Sequence, residues 1–283
     1  MRTSDEVNTA LITGASAGIG LALSRRLLSE GWQVATINRS AYAADDPLIR
    51  EAILAGRLRN YQVDDLADFD SLRRTLDTVK REERRVDILF NNAGGSFSEL
   101  SYSKQGRELH YELMTVVPYI VMTELEDLLA GGRLKTVINT SSSALKFTKS
   151  LSIETLERPD TFRKLLGPYA ASKLALSLWT QAAAPRLAER GIRIRSVDPG
   201  GNNTLRKGKR SGLPLPVMLL MKLFFAPPAK GAGLLYEAAL GELRGKTGVY
   251  VEKGRVAELI FADQAQAVLN RVDDIYKLEY RRA

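Results

Sequence analysis

Residues 9–20 read "TALITGASAGIG", and this stretch decides the fold class. The apolar run over residues 9–13 is typical of a buried strand, and the glycines that follow lead into a helix. Gly14, Gly18 and Gly20 permit a tight turn, let backbone N–H groups approach a pyrophosphate, and place it at the positive end of the helix dipole. A glycine-rich loop alone is also compatible with an ordinary strand-to-helix turn. Its position after the first strand of an alternating series favours a dinucleotide-binding loop.

Short apolar segments alternate with helical patterns along the rest of the chain. Strands are predicted at "QVATIN", "LRNYQV", "VDILF", "LKTVINT" and "IRIRSV", with helices from about Ile19, near 48–54, from Asp68, near 107–129 and over 169–189. Such alternation predicts βαβ units, and right-handed crossovers give an α/β, doubly wound parallel sheet with helices on both faces. We find no linker or repeat, so residues 1–283 are predicted to form a single Rossmann-type domain.

Two segments interrupt the alternation, one over residues 144–167 and one over residues 204–228. We predict that the first is an insertion before the next helix and that the second is a substrate lid. The apolar residues within 213–226 would form an adaptable wall, which predicts an apolar substrate. Basic residues precede this run, so a peripheral membrane contact is the second interpretation, and a dimer or core surface is the third.

Composition excludes several classes of function. The chain has no cysteine, which excludes a disulfide framework, a thiolate nucleophile and a cysteine zinc site. Its one histidine, His110, argues against a metal site or a Ser/His triad, so no metal is predicted. The net charge of +8 is spread along the chain without an aromatic-interleaved basic stretch, so no nucleic-acid partner is predicted. Neither a signal-peptide pattern nor a membrane-spanning apolar run is recognisable, which predicts a cytoplasmic protein.

The end of the second strand bears on the choice of cofactor. The sequence there is "INRSAY", with Asn38 followed by Arg39. A carboxylate would accept the ribose hydroxyls of NAD, whereas a guanidinium suits the 2′-phosphate of NADP. We therefore predict NADP(H) over NAD(H). The alternative is that Arg39 is a solvated loop residue, as most exposed arginines are.

"YAASK" at residues 169–173 contains the candidate acid–base pair. Hydride transfer to a carbonyl creates an alkoxide that needs a proton, and a tyrosine with a pKa of about 10 exchanges protons slowly at neutral pH. Lys173, one helical turn after Tyr169, would stabilise the phenolate and lower that pKa. A serine hydroxyl from "NTSSS" would complete the site by donating to the alkoxide. The same i, i+4 spacing also arises in ordinary amphipathic helices.

Together these motifs resemble those of the short-chain dehydrogenase/reductase family, over nearly the whole chain. The motifs are "TGASAGIG", "VDDLAD", "NNAG", "NTSSS", "YAASK" and "PGGNNT", in the family's order. The long interval before Tyr169 and the ending "TGVYVEKGRVAEL" look most like the retinol dehydrogenase-like subgroup. The resemblance implies an NADP(H)-dependent oxidoreductase that interconverts an apolar alcohol and its ketone or aldehyde. It also implies a homo-oligomer, paired through the helices near 104–130 and 169–190.

The resemblance also implies which residues form the site. Tyr169 is the implied acid–base, Lys173 its partner, and Ser142, the second serine of the motif, is chosen from Ser141, Ser142 and Ser143. The implied cofactor-binding residues are Gly14, Ser16, Gly18, Ile19, Gly20, Arg39, Asp65, Leu66, Asn91, Asn92, Ala93, Gly94, Tyr169, Lys173, Pro199, Asn202 and Thr204. In this set Asp65 would hold the adenine amino group, with Asp64 as a one-residue alternative.

One position departs from the family pattern, because Met114 stands where an active-site asparagine is usual. Methionine has no amide with which to take part in a proton relay. Pro118 has no N–H, so it would leave the Met114 carbonyl without a helical partner and able to hold a relay water. His110 lies one turn earlier, although a lone helical histidine more often serves packing. Met114 keeps a second function open, an NADP(H)-binding sensor or scaffold with weak turnover.

Overall fold

Eight strands form one sheet in the computed structural model, which describes residues 7–43, 45–202 and 226–282. The strands are β1 (Thr9–Thr13), β2 (Gln33–Asn38), β3 (Leu58–Gln62), β4 (Ile88–Asn91), β5 (Thr136–Thr140), β6 (Arg193–Val197), β7 (Val249–Glu252) and β8 (Arg255–Ala257). Their order is β3-β2-β1-β4-β5-β6-β7-β8, parallel except that β8 pairs antiparallel with β7. The order reverses beside β1, which is where ligands bind in doubly wound sheets.

Helices cover both faces of the sheet, which confirms the predicted fold class. They are α1 (Gly18–Ser29), α2 (Pro47–Leu54), α3 (Phe69–Glu82), α4 (Leu109–Tyr111), α5 (Val117–Glu124), α6 (Glu126–Ala130), α7 (Ile153–Glu157), α8 (Pro168–Ala188), α9 (Pro228–Leu240) and α10 (Ala265–Ile275). One hydrophobic cluster contains α1, α2 and α9, and the other contains α3, α5, α8 and α10. Every residue of β1 and β5 is buried, because helices cover both sides. Across the described ranges, no helix has both the length and the apolar character needed to cross a bilayer.

A helical run covers 109–130, close to the predicted 107–129, but it is not one continuous α-helix. A π-helix over Glu112–Val116 joins α4 to α5, and Pro118 lies in the first turn of α5. Within this wider turn the Val117 N–H donates to the Glu112 carbonyl, five residues earlier. Proline has no N–H and crowds the carbonyl four residues before it, which accounts for the local change in helix geometry.

Of the two segments that interrupt the alternation, the structure describes 144–167 in full and 204–228 only at its end. The segment 144–167 contains α7 and most of a 3₁₀ helix over Ser143–Phe147, so it is more ordered than a plain loop. It is held to the C-terminal helix by Arg271, whose Nε lies 2.5 Å from Glu157 Oε1. The predicted lid at 204–228 lies outside the described residues except for its last three positions, and Thr204 lies outside them as well.

The C-terminal segment packs on the outer side of α5 and α8. Tyr119 meets Trp179 edge-on with ring centroids 5.4 Å apart, and it also contacts Tyr276 at 6.2 Å. The Tyr119 hydroxyl donates to Asp273 at 2.9 Å. Helices α5 and α8 are the ones through which the resemblance implies subunit pairing. In this chain Tyr119 of α5 is packed against Tyr276 of the chain's own C-terminal segment.

Candidate active site

The loop after β1 is shaped to receive an anion. Gly14 and Gly18 have φ angles of 70° and 58°, which glycine adopts without strain. A Cβ on Gly14 would lie 2.7 Å from the Ala93 Cα, and one on Gly20 would collide with the Gly14 carbonyl oxygen. The N-cap of α1 is Ala17, whose side chain cannot accept the first N–H groups of the helix. The loop and the uncapped helix end therefore fit the pyrophosphate of a dinucleotide.

Two adjacent residues at the end of β2 have different environments. Asn38 is 1% exposed, and its Oδ1 accepts the Ala15 N–H at 2.5 Å, which ties the phosphate loop to the strand. Its Nδ2 donates to Asn60 Oδ1 at 2.8 Å and to Thr36 Oγ1 at 3.1 Å. Arg39, in contrast, is exposed. Asn38 anchors the loop, a role that sequence reasoning missed, and Arg39 remains available to a ligand at the strand end.

The "NNAG" motif joins the end of β4 to its two neighbouring strands. Thr13 Oγ1 accepts the backbone N–H groups of Asn92 and Ala93, both at 3.0 Å. The Asn92 side chain donates back to the Thr13 carbonyl at 3.2 Å. Asn91 is buried, and its Nδ2 donates to Asn139 Oδ1 on β5 at 2.9 Å. These side chains hold the floor of the predicted cofactor cleft.

The loop after β3 contains the two candidate adenine-side carboxylates. Asp65 is exposed and accepts the Ala67 N–H at 3.0 Å, and Leu66 is buried beside it. Asp64 lies 3.8 Å from the Arg74 guanidinium of α3. Both carboxylates are exposed, so Asp65 and the one-residue alternative Asp64 both remain candidates for the adenine side.

The three serines after β5 point in different directions. The Ser141 hydroxyl lies 2.7 Å from Ser177 Oγ, so it is turned into helix α8. The Ser142 hydroxyl faces the Tyr169 phenol, where hydrogen bonding lowers the pKa of that phenol, and it also accepts the Ala144 N–H at 3.2 Å. Neighbouring residues of an extended segment face opposite sides, which explains the division. The geometry favours Ser142 as the serine of the site.

Lys173 lies one turn after Tyr169 on α8 and is 5% exposed. Its Nζ donates to the Thr140 carbonyl at 2.6 Å, at the carboxyl end of β5. The structure therefore brings Ser142, Tyr169 and Lys173 together at one strand end. Burial lowers the pKa of Lys173 to about 7, although the negative charge of Asp198 opposes this shift.

Burial also dominates the proton affinity of the tyrosine. Burial raises the pKa of Tyr169 above its usual value. The Ser142 hydrogen bond lowers this pKa, and the charge of Asp198 raises it. The phenol is therefore protonated at neutral pH. Sequence reasoning expected Lys173 to lower this pKa, but in this structure desolvation has the larger effect on both groups. A protonated phenol is the form that can donate to an alkoxide.

Met114 is packed between the "NNAG" loop and the lysine. It is 1% exposed. A Cβ on Gly94 would lie 2.8 Å from the Met114 Sδ and 3.8 Å from the Lys173 Nζ. The thioether therefore forms an apolar wall close to the ammonium, at the point where the family pattern has an amide. That Pro118 leaves the Met114 carbonyl able to hold a water remains a prediction.

His110 lies against Tyr169, the candidate acid–base, a contact that sequence reasoning did not predict. It is 1% exposed, and its ring centroid is 6.0 Å from that of Tyr169 in an edge-on arrangement. Its Nε2 accepts the Phe97 N–H at 3.0 Å, and its Nδ1 lies 2.5 Å from Glu108 Oε1. Because Nε2 is an acceptor, this network assigns the hydrogen to Nδ1. The only sequence signal was the Glu108 two residues earlier.

The loop after β6 closes the same edge of the sheet. Asp198 is 4% exposed, and its Oδ1 accepts the Gly200 N–H at 3.0 Å. The Asn202 side chain donates to the Pro199 carbonyl at 2.8 Å and accepts the Gly231 N–H at 3.0 Å. Asn202, expected to bind cofactor, thus holds this loop against α9. Pro199 lies in the loop, as expected.

Comparison with known proteins agrees with this arrangement. Residues 8–153 match the family model described as short chain dehydrogenase. The chain belongs to the short-chain dehydrogenase/reductase family. It is 28% identical over 283 residues to retinol dehydrogenase 14 of Mus musculus, covering 94% of this chain and 84% of the relative. It is 30% identical over 262 residues to polyprenol dehydrogenase of Danio rerio, covering 88% and 79%. The similarity to retinol dehydrogenase 14 places it with the retinol dehydrogenase-like subgroup.

Solved structures of this family share the fold. L-sorbose reductase from Gluconobacter frateurii, crystallised with NADPH and L-sorbose, aligns with a TM-score of 0.65 at 19% identity, covering 90% of this chain and 98% of the other. A blue fluorescent protein from a metagenomic library, in complex with NADPH, aligns with a TM-score of 0.63 at 26% identity, covering 87% and 96%. As a short-chain dehydrogenase/reductase, the chain is an oxidoreductase with a nicotinamide dinucleotide cofactor.

Proposed function

We propose that this short-chain dehydrogenase/reductase uses NADP(H) to interconvert an apolar alcohol and its ketone or aldehyde, with Tyr169 as the acid–base. The observation that carries the proposal is the convergence of Ser142, Tyr169 and Lys173 at the carboxyl end of β5. This cluster lies on the same sheet edge as the glycine loop of β1. Ligands of doubly wound sheets bind at that edge.

The roles of the chain's own residues follow from their placement. When bound, the nicotinamide ring supplies or accepts a hydride at the substrate carbon. In reduction, the Tyr169 hydroxyl gives its proton to the oxygen that becomes an alkoxide, and the Ser142 hydroxyl donates a hydrogen bond to that oxygen. The Lys173 ammonium, held by the Thr140 carbonyl, stabilises the phenolate left behind. In oxidation the same groups act in the reverse order.

The preference for NADP(H) is supported by the end of β2. The buried Asn38 is committed to the phosphate loop, and the exposed Arg39 follows it. A guanidinium suits a 2′-phosphate through paired hydrogen bonds. Cofactor titration tests this preference, because NADPH should bind more tightly than NADH and Arg39→Asp should weaken NADPH selectively. Equal affinities in the wild-type protein would refute the preference.

An apolar substrate is supported by the residues beside Tyr169. The ring of His110 packs edge-on against Tyr169 and also contacts Phe97 at 4.7 Å and Phe162 at 6.2 Å, so the tyrosine borders an aromatic cluster. Met114 adds a thioether close to Lys173. Retinol and polyprenol, named in the two relatives, are apolar alcohols. A panel of aliphatic, aromatic and retinoid-like carbonyls, assayed with NADPH, would identify the class.

A matched pair of serine variants tests the assignment of the site. Ser142→Ala should reduce turnover by about a hundredfold or more, as expected when one donor to an oxyanion is removed. Ser141→Ala removes a hydroxyl one residue away that faces Ser177, so it should retain turnover close to the wild type. Equal losses in both variants would contradict the assignment.

Met114 favours a second candidate, an NADP(H)-binding sensor or scaffold with weak turnover. Its thioether lies beside the lysine without an amide to assist a proton relay. A wild-type protein that binds NADPH but turns over no carbonyl of the panel would favour this function over the enzyme.

A further inference from the structure

A buried carboxylate and a buried ammonium lie at adjacent strand ends in this site. Thr140, whose carbonyl holds the Lys173 Nζ, pairs in register with Val197 at the end of β6. The Ser141 N–H donates to the Val197 carbonyl at 2.7 Å, which extends the pairing by one step. Asp198 comes directly after Val197 and is 4% exposed. The parallel register therefore sets Asp198 beside the end of β5, where the Thr140 carbonyl binds the Lys173 Nζ.

Asp198 is held in a fixed orientation at this position. Its backbone N–H donates to the Val251 carbonyl of β7 at 2.8 Å, and its Oδ1 accepts the Gly200 N–H at 3.0 Å. Among the contacts of the described residues, Asp198 and Lys173 make no ion pair within 4.0 Å. The Asp198 charge nevertheless opposes the effect of burial on Lys173, so it acts from beyond contact distance. In a buried site of low dielectric, such an interaction remains strong beyond contact distance.

Other charged and titratable groups pack around these two residues. Tyr169 comes from α8 and the buried Tyr250 from β7, and Asp198 raises the pKa of both phenols, although burial has the larger effect on each. Glu252 also lies on β7, but its carboxylate pairs with Lys146 at 2.5 Å. Asp198 is thus the carboxylate of the described residues that counters the effect of burial on Lys173.

We propose that Asp198 is a positioning residue that keeps the Lys173 side chain in its ammonium form during the reaction. Its negative charge stabilises the ammonium electrostatically. Met114, which also lies close to Lys173, has no polar group that could do so. The inference rests on the proposed function, because it concerns the positive charge that Lys173 presents to the Tyr169 phenolate. Without the Asp198 charge, burial would favour the neutral amine, and the phenolate formed in reduction would lose its counter-charge.

Direct titration of the lysine tests the inference without turnover. The full-length protein would carry lysine labelled with ¹³C at Cε and would be titrated by NMR. The Lys173 signal is the one that is missing from the spectrum of Lys173→Arg. Asp198→Asn keeps an oxygen that can accept the Gly200 N–H and removes only the charge. The Lys173 midpoint, about 7 in the wild type, should fall by about one pH unit, as expected for the loss of a nearby opposite charge. Glu252→Gln, which removes a charge already paired with Lys146, should leave the midpoint unchanged.

The pH profile of turnover separates this role from a merely structural one. A fall of about one unit would reduce the ammonium fraction at pH 7 from about one half to about one tenth, so turnover should drop about fivefold. Near pH 5 both proteins would be almost fully protonated, and their rates should converge. A loss that is uniform across pH, with an unchanged lysine midpoint, would overturn the inference.

Failure of this inference can be distinguished from failure of the proposed function. An active wild type with an unaltered lysine midpoint in Asp198→Asn would refute the role of Asp198 and leave the proposed function standing. An inactive wild type would refute the proposed function, while the lysine titration would still decide the role of Asp198. If Asp198→Asn does not fold, Asp198→Ser offers a hydroxyl to the Gly200 N–H and should show the same fall.

Discussion

Replacing Asn38 by leucine should both destabilise the fold and weaken cofactor binding. The side chain is 1% exposed and makes three hydrogen bonds, to the Ala15 N–H, Asn60 Oδ1 and Thr36 Oγ1. Leucine has a similar size and no polar atoms, so all three partners lose their bond. At about 1 kcal/mol for each bond, the free energy of unfolding should fall by about 3 kcal/mol. The Ala15 N–H is the partner whose loss loosens the phosphate loop.

Urea denaturation and NADPH titration would measure the two effects of Asn38→Leu. The midpoint should fall with little change in the denaturant slope, and the dissociation constant for NADPH should rise. Arg39→Leu is the matched control, because this exposed neighbour should change stability by less than about 0.5 kcal/mol. If Asn38→Leu is as stable as the wild type, Asn38 does not anchor the phosphate loop as described.

Three further outcomes are expected. His110→Phe keeps an aromatic ring against Tyr169 but leaves the buried Glu108 without its Nδ1 partner. The variant should lose about 1 to 3 kcal/mol of stability in thermal or urea unfolding, and its kcat/KM should fall. Unchanged stability would contradict the hydrogen-bond network. Gly94→Ala should impair turnover, because the added Cβ would lie 2.8 Å from the Met114 Sδ and displace this side chain close to the lysine. Adding Met114→Ala should restore part of the turnover. An identical defect in the double variant would refute the steric cause. Burial holds the pKa of Lys173 at about 7, below its value in the unfolded chain, so the unfolded state binds more protons above pH 7. The free energy of unfolding of Lys173→Met should therefore exceed that of the wild type by the largest margin near and below pH 7. In denaturation curves this margin should shrink by up to about 1.4 kcal/mol per pH unit between pH 7 and 9. A margin that does not change with pH would contradict the lowered pKa of Lys173.

Local pattern was sufficient to predict β1 to β6 and the helices α1, α2, α3 and α8, whereas β7, β8, α9 and α10 were not predicted. The apolar runs at residues 9–13, 33–38 and 136–140 lie in the sheet as expected, because strands covered on both faces need continuous apolar sequence. The π-helix at Glu112–Val116 was not predicted, since apolar periodicity does not distinguish one helix geometry from another. The sequence signal that bears on it is Pro118, which was interpreted only as freeing a carbonyl.

The motifs placed the candidate site, but its internal chemistry depends on tertiary structure. "NTSSS" could not separate its serines, whereas the bond between Ser141 and Ser177 does so through a contact 36 residues apart in sequence. Glu108 is a local signal for the hydrogen bonding of His110, but neither the contact of His110 with Tyr169 nor the place of Asp198 has one, because each depends on how distant elements pack. The effect of burial on Lys173 likewise appears only once the helix is docked on the sheet.

Turnover and cofactor binding by Tyr169→Phe test the central claim most directly. Phenylalanine keeps the ring against His110 and removes only the hydroxyl that exchanges the proton. With a carbonyl that the wild type reduces, kcat should fall by about 10² to 10⁴, the range expected for loss of a general acid. NADPH should still bind within about twofold of the wild type, since the glycine loop is untouched. Turnover near the wild-type rate, with NADPH bound, would contradict the assignment of Tyr169 as the acid–base.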